Sequence, residues 1–250
     1  MLFTMKADIE AMRALAYVAI GCLDQSKKNP DDSERAAHQA QVDLLTPIVK
    51  GWITEHAQVL TSLGVQVHGG MGYVEETGAA QYMRDARILT IYEGTTGIQA
   101  GDLIGRKVLR EKAVTLLALL DDIEATASEL SGDMADIGTA LNAAVTEARG
   151  ALGWLLDNYS ADPSVPGGVS YHFLMMLGVL CGGWQMARAA KVAADKLAGT
   201  AGDSEFYGAK ILSARFYAEQ TLPRVTSHAL SVKTGSATMM AISLDQLRGD

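Results

Sequence analysis

Apolar residues recur at helical spacing along most of the chain. Between residues 6 and 24 they stand at Ile9, Met12, Leu15, Ala16, Ala19 and Leu23. This period places the apolar side chains on one face and predicts an amphipathic helix. A second helix is predicted from about residue 33 towards residue 63, after a polar turn. We expect Pro47 to bend this helix or split it in two, and Gly64 to end it.

A glycine-rich segment interrupts the helical pattern. Residues 64–73 read Gly-Val-Gln-Val-His-Gly-Gly-Met-Gly-Tyr. Glycine at this density suits a backbone that turns tightly or approaches another surface closely. A short helix is predicted over about 77–87, and an apolar link follows over 88–92. Threonines at 95 and 96 then provide capping hydroxyls for a helix that ends near residue 110.

Beyond residue 110 the sequence pattern changes to long amphipathic stretches rich in alanine and leucine. We predict helices over about 111–130, 133–159, 168–198 and 203–230. Polar breaks between them favour a separate antiparallel helical bundle. The predicted fold is therefore all-α, with one domain over residues 1–110 and a second over residues 111–250.

The overall charge argues against a polyanion-binding surface. A formal charge of −8 and a pI near 5.1 accompany lysines and arginines that are spread along the sequence. Binding to nucleic acid needs clustered cations, so we expect no nucleic-acid partner. Glycines interrupt the longest apolar run, over 173–184, and we expect no membrane span. The first residues resemble the middle of an amphipathic helix, which predicts no signal peptide and a longer parent protein.

The cysteines and histidines show no pattern of a metal or redox site. Cys22 and Cys181 stand far apart in apolar helical surroundings and form no CxxC pair. We interpret them as reduced core thiols of a cytoplasmic protein. The five histidines show neither i,i+4 pairing nor a nearby carboxylate-cysteine cluster, so no metal is expected.

One carboxylate has a sequence context that suits proton transfer. Glu93 follows the apolar strip 88–92 and precedes a turn of small residues. Partial desolvation there would make the carboxylate more basic and suited to proton abstraction near neutrality. The alternative is an acidic residue placed favourably against the dipole of the next helix. The residues alone favour this second interpretation.

Three ordered motifs change that balance. They are Gln66-Val67-His68-Gly69-Gly70-Met71-Gly72-Tyr73, Tyr82-Met83-Arg84-Asp85-Ala86-Arg87 and Ile91-Tyr92-Glu93-Gly94-Thr95-Thr96-Gly97-Ile98-Gln99. Together, within 34 residues, they closely resemble the C-terminal catalytic region of acyl-CoA dehydrogenases. The resemblance covers about residues 5–110.

The resemblance implies a role for each part of these motifs. Glu93 would be the base that takes the α-proton of an acyl-CoA thioester while FAD accepts the β-hydride, and its N–H would stabilise the thioester oxygen. Tyr92 and Gly94 would line the substrate site. Two stretches would contact FAD, the first of them on a neighbouring subunit: Gln66, Val67, His68, Gly69 and Gly70, and then Thr95, Thr96 and Gly97.

The resemblance also implies that other parts of the family's flavin site lie outside these residues. Residues 111–250 are similar to the extra helical domain of long bacterial members, a type that includes the members acting on 3-(methylthio)propanoyl-CoA. We therefore expect the C-terminal portion of an FAD-dependent enzyme, inactive by itself. Homo-oligomers and electron-transfer flavoprotein are the partners implied. The alternative is a free-standing, non-catalytic helical interaction module that binds neither FAD nor CoA.

Overall fold

The computed structural model describes residues 1–199 and 203–249, and within these ranges the chain is helical and contains no strand. The first helices are α1 (Leu2–Lys28), α2 (Asp32–Val67), α3 (Gly70–Tyr73), α4 (Ala79–Ala86) and α5 (Thr96–Asp102). They are followed by α6 (Val114–Glu129), α7 (Ala135–Asn158), α8 (Val165–Ala198), α9 (Ser204–Gln220), α10 (Arg224–Lys233), α11 (Ala237–Ala241) and α12 (Leu244–Arg248). The all-α prediction is confirmed.

Helices α1 and α2 form an antiparallel hairpin. A short turn joins them, and Asp31 caps α2 by accepting hydrogen bonds from the Ser33 and Glu34 N–H groups. The antiparallel register brings Cys22 beside Gln41 near the turn, with its thiol donating to the Gln41 amide oxygen at 3.3 Å. Cys22 is thus half-buried, whereas Cys181 is fully buried in the core as expected.

Helix α2 is longer and more continuous than its sequence indicates. It passes through the buried Pro47 without dividing and continues beyond Gly64 to Val67. The predicted end at Gly64 is wrong because a mid-helix glycine costs only about 1 kcal/mol relative to alanine, which packing outweighs. The Gly64 carbonyl also accepts a hydrogen bond from His68 Nδ1 at 2.8 Å, which closes the last turn.

Helix α8 lies at the centre of the core. By length and composition it could cross a membrane, yet 72% of its most apolar window is buried inside the protein. Two of its glycines, Gly178 and Gly182, face the indole of Trp52 on α2, which is fully buried. A methyl group at Gly178 would lie 2.2 Å from Trp52 Cγ. The absence of these side chains lets α2 and α8 approach each other closely.

The last predicted helix is divided in the structure, and two short helices that were not predicted, α11 and α12, follow it. The single helix expected over 203–230 is divided into α9 and α10 at Thr221–Pro223. The ring of Pro223 cannot continue the hydrogen-bond ladder of α9, so the chain turns there. The Thr221 hydroxyl donates to the buried Asp8 carboxylate on α1 at 3.0 Å.

Side chains from both predicted domains share one continuous apolar core, which includes Leu15, Trp52, Leu103, Leu120, Leu152 and Phe173. The connection between the two parts is irregular. A π-helical segment, Leu103–Leu109, follows α5, and Lys112 and Ala113 then adopt φ of 52° and 59° before α6 begins. The domain boundary at residue 110 stays a prediction.

Candidate functional site

The carboxylate singled out from the sequence lies in a tight, conformationally unusual loop. A 3₁₀ turn, Arg87–Thr90, leads into it, and α5 follows it. Glu93 has φ of 52° and Gly94 has φ of 92°. A left-handed backbone costs a non-glycine residue on the order of 1–3 kcal/mol, so surrounding contacts must hold Glu93 in it.

Side chains of α2 supply those contacts. Lys50 Nζ donates to the Leu89 carbonyl at 2.9 Å and to the Gly94 carbonyl at 2.7 Å. The Thr96 hydroxyl donates to Glu55 Oε1 at 2.5 Å. One turn further along α2, Gln58 Nε2 donates to the Ala86 carbonyl at 2.5 Å.

Sequence analysis missed Lys50, Glu55 and Gln58, the α2 residues that make these contacts. Lys50 and Gln58 stand eight positions apart, and Thr54 lies midway between them, so Lys50, Thr54 and Gln58 share one face of the helix. This polar stripe lies beside the buried face of α2, which carries Ile48, Trp52 and His56. A polar stripe next to a buried face was the available signal that another segment binds there.

The Glu93 side chain is exposed in this chain. The apolar side chains before it point outwards, with Ile88, Ile91 and Tyr92 exposed by 53%, 48% and 47%. The expectation that they desolvate Glu93 therefore fails for the chain by itself. They instead form an exposed apolar patch beside the carboxylate. We call Ile88, Ile91 and Tyr92 the apolar rim.

The backbone around Glu93 leaves donors available. Within the described residues, the Glu93 N–H makes no hydrogen bond to a protein acceptor. Thr95 caps α5 by accepting from the Ile98 N–H at 3.3 Å. Thr96 is buried and bonded to Glu55, whereas Gly97 is exposed. The N–H groups of Thr96 and Gly97 lie in the first turn of α5, where an intrahelical acceptor is lacking.

The glycine-rich segment forms an exposed corner at the far end of α2. Gln66, Val67, His68, Gly69 and Gly70 are all exposed. Gly69 has φ of 60° and ψ of −145°, a conformation essentially restricted to glycine. Gly72 is buried against the preceding turn, and a Cβ there would lie 2.1 Å from the Val65 carbonyl oxygen. The backbone conformation therefore requires glycine at position 69, and close backbone packing requires it at position 72.

The structure brings some predicted site residues together and separates others. Tyr92, Glu93 and Gly94 adjoin Thr95–Gly97, and all of them lie near the middle of α2. Gln66–Gly70 lies at its end, roughly 17 Å along the axis from Glu55 at 1.5 Å per residue. A compact ligand therefore cannot contact both Tyr92–Gly97 and Gln66–Gly70 of a single chain. Only a ligand that extends along α2 could reach both.

An apolar groove lies between α1 and α2 near this corner. Its volume is about 420 Å³, and its lining includes Met5, Ile9, Leu60, Thr61, His68 and Tyr82. Met5, Ile9 and Leu60 give the groove its apolar character, and among the lining residues only His68 belongs to the predicted site residues. The groove therefore adjoins the glycine-rich corner and not the Glu93 loop.

Folding pairs histidines that the sequence leaves isolated. His172 and His228 approach with Nδ1 atoms 3.2 Å apart, and His56 lies 3.3 Å from the buried Asp8 carboxylate. Burial, with the neighbouring His172 adding to it, lowers the pKa of His228 to about 4. Over residues 1–199 and 203–249, no group of three or more His, Cys, Asp or Glu side chains is arranged to hold a metal ion.

Comparison with known protein families accounts for this arrangement. Residues 1–109 match the family model described as acyl-CoA dehydrogenase, C-terminal domain. Residues 119–243 match the one described as acetyl-CoA dehydrogenase C-terminal like. The chain belongs to the acyl-CoA dehydrogenase family. The family resemblance inferred from the three motifs is thereby confirmed.

Similar acyl-CoA dehydrogenases include curated bacterial proteins. The chain is 44% identical over 246 residues to 3-methylmercaptopropionyl-CoA dehydrogenase of Ruegeria pomeroyi, which covers 96% of this chain and 41% of that protein. It is 34% identical over 244 residues to the broad-specificity linear acyl-CoA dehydrogenase FadE5 of Mycobacterium tuberculosis, covering 93% and 40%. The chain thus spans about two fifths of the length of these relatives.

Solved acyl-CoA dehydrogenase structures share the fold. A Bacillus anthracis acyl-CoA dehydrogenase complexed with FAD superposes with a TM-score of 0.73 at 19% identity, covering 99% of this chain and 42% of that one. Caenorhabditis elegans ACDH-11, in complex with C11-CoA, superposes with a TM-score of 0.72 at 23% identity, covering 88% and 35%. These likenesses support the fold.

Proposed function

We propose that this chain is the C-terminal portion of an FAD-dependent acyl-CoA dehydrogenase and that Glu93 takes the α-proton of the acyl-CoA thioester. The observation that carries the proposal is the clamped left-handed conformation of Glu93. It presents a carboxylate and a free N–H from one residue, beside the apolar rim. The family membership and the name of the 44% identical relative support the reaction class.

Different groups of the loop have different roles in proton abstraction. The Glu93 carboxylate accepts the proton from the carbon next to the thioester carbonyl. The Glu93 N–H donates to the thioester oxygen, where negative charge develops as the proton leaves. Tyr92 and Gly94 flank the base and line the thioester site. A segment that covers the apolar rim would also exclude bulk water from the proton transfer.

Two exposed backbone segments fit the polar parts of FAD. Gly97 is exposed, and its N–H in the first turn of α5 is open to an anionic oxygen, whereas the Ile98 N–H is bonded to the Thr95 hydroxyl. At Gly69 an added Cβ would meet no atom within 4 Å, so the backbone of Gln66–Gly70 is open to close approach. When bound, FAD supplies the hydride acceptor of the dehydrogenation. Because Thr96 is bonded to Glu55, it offers its backbone and not its hydroxyl.

The distance along α2 between Thr95–Gly97 and Gln66–Gly70 supports the view that these two segments contact two different FAD molecules. We propose that Thr95–Gly97 contacts FAD beside Glu93 and that Gln66–Gly70 contacts the FAD of a neighbouring subunit. The enzyme would then be a homo-oligomer, acting in the cytoplasm and passing electrons to electron-transfer flavoprotein. Exposure of the apolar rim supports a further protein segment that covers it and completes the flavin pocket.

A direct test uses the full-length protein that contains this chain. The purified protein should be yellow, and an acyl-CoA should bleach its flavin absorbance under anaerobic conditions. Glu93→Gln should slow this reduction by at least ~100-fold, because the base is removed while the shape is kept. Glu76→Gln, at another exposed carboxylate, is the matched control and should reduce flavin at the parent rate.

Two results would refute the proposal. Unchanged flavin reduction by Glu93→Gln would remove Glu93 from the chemistry. A full-length protein that purifies without flavin and does not act on acyl-CoA would instead favour a helical interaction module. For the 250-residue chain by itself, we expect no tight, stoichiometric FAD binding in a titration, because it supplies only two backbone segments.

A further inference from the structure

We infer that Lys50 is a positioning residue for the catalytic loop, and that its ammonium group sets the direction of both the Glu93 carboxylate and the Glu93 N–H. The inference rests on the proposed role of Glu93 and adds a residue to which the sequence motifs assign no part. Lys50 lies on α2, 43 positions before Glu93.

The contacts of Lys50 bracket the residue that they position. Its ammonium binds the Leu89 carbonyl at 2.9 Å, before Glu93, and the Gly94 carbonyl at 2.7 Å, directly after it. The same ammonium lies 5.9 Å from the centroid of the Tyr92 ring. One cation therefore contacts the chain on both sides of Glu93.

This chemistry suits lysine in particular. An ammonium carries three donors arranged around one atom, so it can bind two carbonyls from different turns and still face an aromatic ring. A carbonyl that binds a charged donor makes a stronger hydrogen bond than one that binds a neutral donor. The planar guanidinium of arginine distributes its donors differently and cannot reproduce the same convergence.

The backbone of α2 around Lys50 is held rigidly by the core. Gly51, next to Lys50, packs so closely on α8 that an added Cβ would lie 2.7 Å from Leu174 Cδ1. Trp52 follows and is fully buried. Lys50 is thus fixed at its backbone by the core and at its ammonium by the loop. Without the ammonium, no direct side-chain bond from the described residues to the Leu89 and Gly94 carbonyls remains, and the loop keeps only the Gln99 amide on the Glu93 carbonyl at 3.4 Å and the Thr96–Glu55 hydrogen bond.

The first experiment measures amide hydrogen exchange by NMR on the full 250-residue chain. The Ile91 and Tyr92 N–H groups donate to the Ile88 carbonyl at 2.9 and 3.1 Å, so they report on closure of the loop. In Lys50→Met their exchange should accelerate by about tenfold or more as the loop opens locally. Lys107→Met is the matched control, because Lys107 is also half-buried but pairs with Asp43, and it should leave both rates unchanged.

The second experiment measures steady-state kinetics in the full-length holoenzyme. Lys50→Met should lower kcat by about 10- to 100-fold, as expected for a base displaced by roughly 1 Å, while KM changes less than about threefold. Lys50→Arg, which keeps the charge, should recover part of kcat. If Lys50→Met does not fold, Lys50→Arg serves in both experiments, with intermediate exchange rates and kcat expected.

The outcomes separate this inference from the proposed function. Unchanged amide exchange at Ile91 and Tyr92 in the Lys50 variants would refute the positioning role of Lys50. An equal loss of kcat in Lys107→Met would refute it as well. A fall in thermal stability without a fall in kcat would reduce Lys50 to a structural residue and also overturn it. Failure of the parent enzyme to reduce flavin would overturn the proposed function, whereas the exchange measurement needs neither FAD nor acyl-CoA.

Discussion

Replacing Gly178 with alanine introduces a methyl group where α8 meets Trp52. The new Cβ would lie 2.2 Å from Trp52 Cγ, 2.4 Å from its Cβ and 2.7 Å from Cδ1. Trp52 is fully buried, and its indole also lies against Gly182 on the next turn of α8. The indole therefore has no free space to enter, and the two helices must move apart.

The size of the effect follows from the distances. Carbon atoms pack at about 3.5–4.0 Å, so the helices must separate by more than roughly 1 Å at this point. Overpacking of this kind costs about 1–3 kcal/mol, and the rigid surroundings place Gly178→Ala near the upper end. Alanine returns about 0.5–1 kcal/mol through its better helix propensity. The expected net destabilisation is about 2 kcal/mol.

Thermal unfolding followed by circular dichroism at 222 nm measures this change. A loss of about 2 kcal/mol corresponds to a fall in Tm of about 4–8 °C for a chain of this size. Gly153→Ala is the matched control, because Gly153 also lies inside a helix but an added Cβ meets nothing within 4 Å. It should raise Tm by about 1–3 °C. If Gly178→Ala also raised Tm, the close approach of α2 and α8 would be wrong.

Three further predictions concern other contacts. Gly72→Ala should abolish the native corner at the end of α2, seen as lost amide protection there, because its Cβ would meet the Val65 carbonyl oxygen at 2.1 Å. Asp8→Ala should destabilise the chain by about 3 kcal/mol in urea unfolding, since it leaves the buried His56 without its carboxylate. Burial lowers the pKa of His228 from 6.5 to about 4, so the unfolded chain binds a proton below pH 6.5 that the folded chain excludes. Stability should be full above pH 6.5 and fall towards pH 4, and His228→Asn should flatten that dependence; an unchanged pH profile would contradict this reasoning.

The helices could be predicted from the sequence because their apolar periodicity is strong. Residues such as Leu15 and Phe173 occur at core-facing positions and are fully buried. Helix ends were harder to predict, because they depend on competition between local propensity and distant packing. Gly64 is a helix breaker by propensity, yet α2 continues past it. Pro223 was overlooked, although its missing donor divides α9 from α10.

For the candidate site, the motifs identified the loop but not what holds it. Lys50 resembles an ordinary lysine on a helix surface, and its partners lie about forty positions further along the chain. No local pattern reports such a contact. The exposure of Glu93 was also missed, because an apolar strip looks the same in a sequence whether it faces a core or the surface of an incomplete pocket.

Helix α2 fixes the spacing between the two ends of the site. It is 36 residues long, hence about 54 Å, and holds the Glu93 loop near its middle and the glycine-rich corner at its end. A single residue inserted between Gln58 and Gly64 would shift the corner by about 1.5 Å and rotate it by about 100° relative to the loop. The Glu93 loop would keep its own geometry while the corner faced a different direction. The length of helix α2 therefore determines the distance and the relative orientation of the Glu93 loop and the glycine-rich corner, and a change in that length would alter the site without changing any of its side chains.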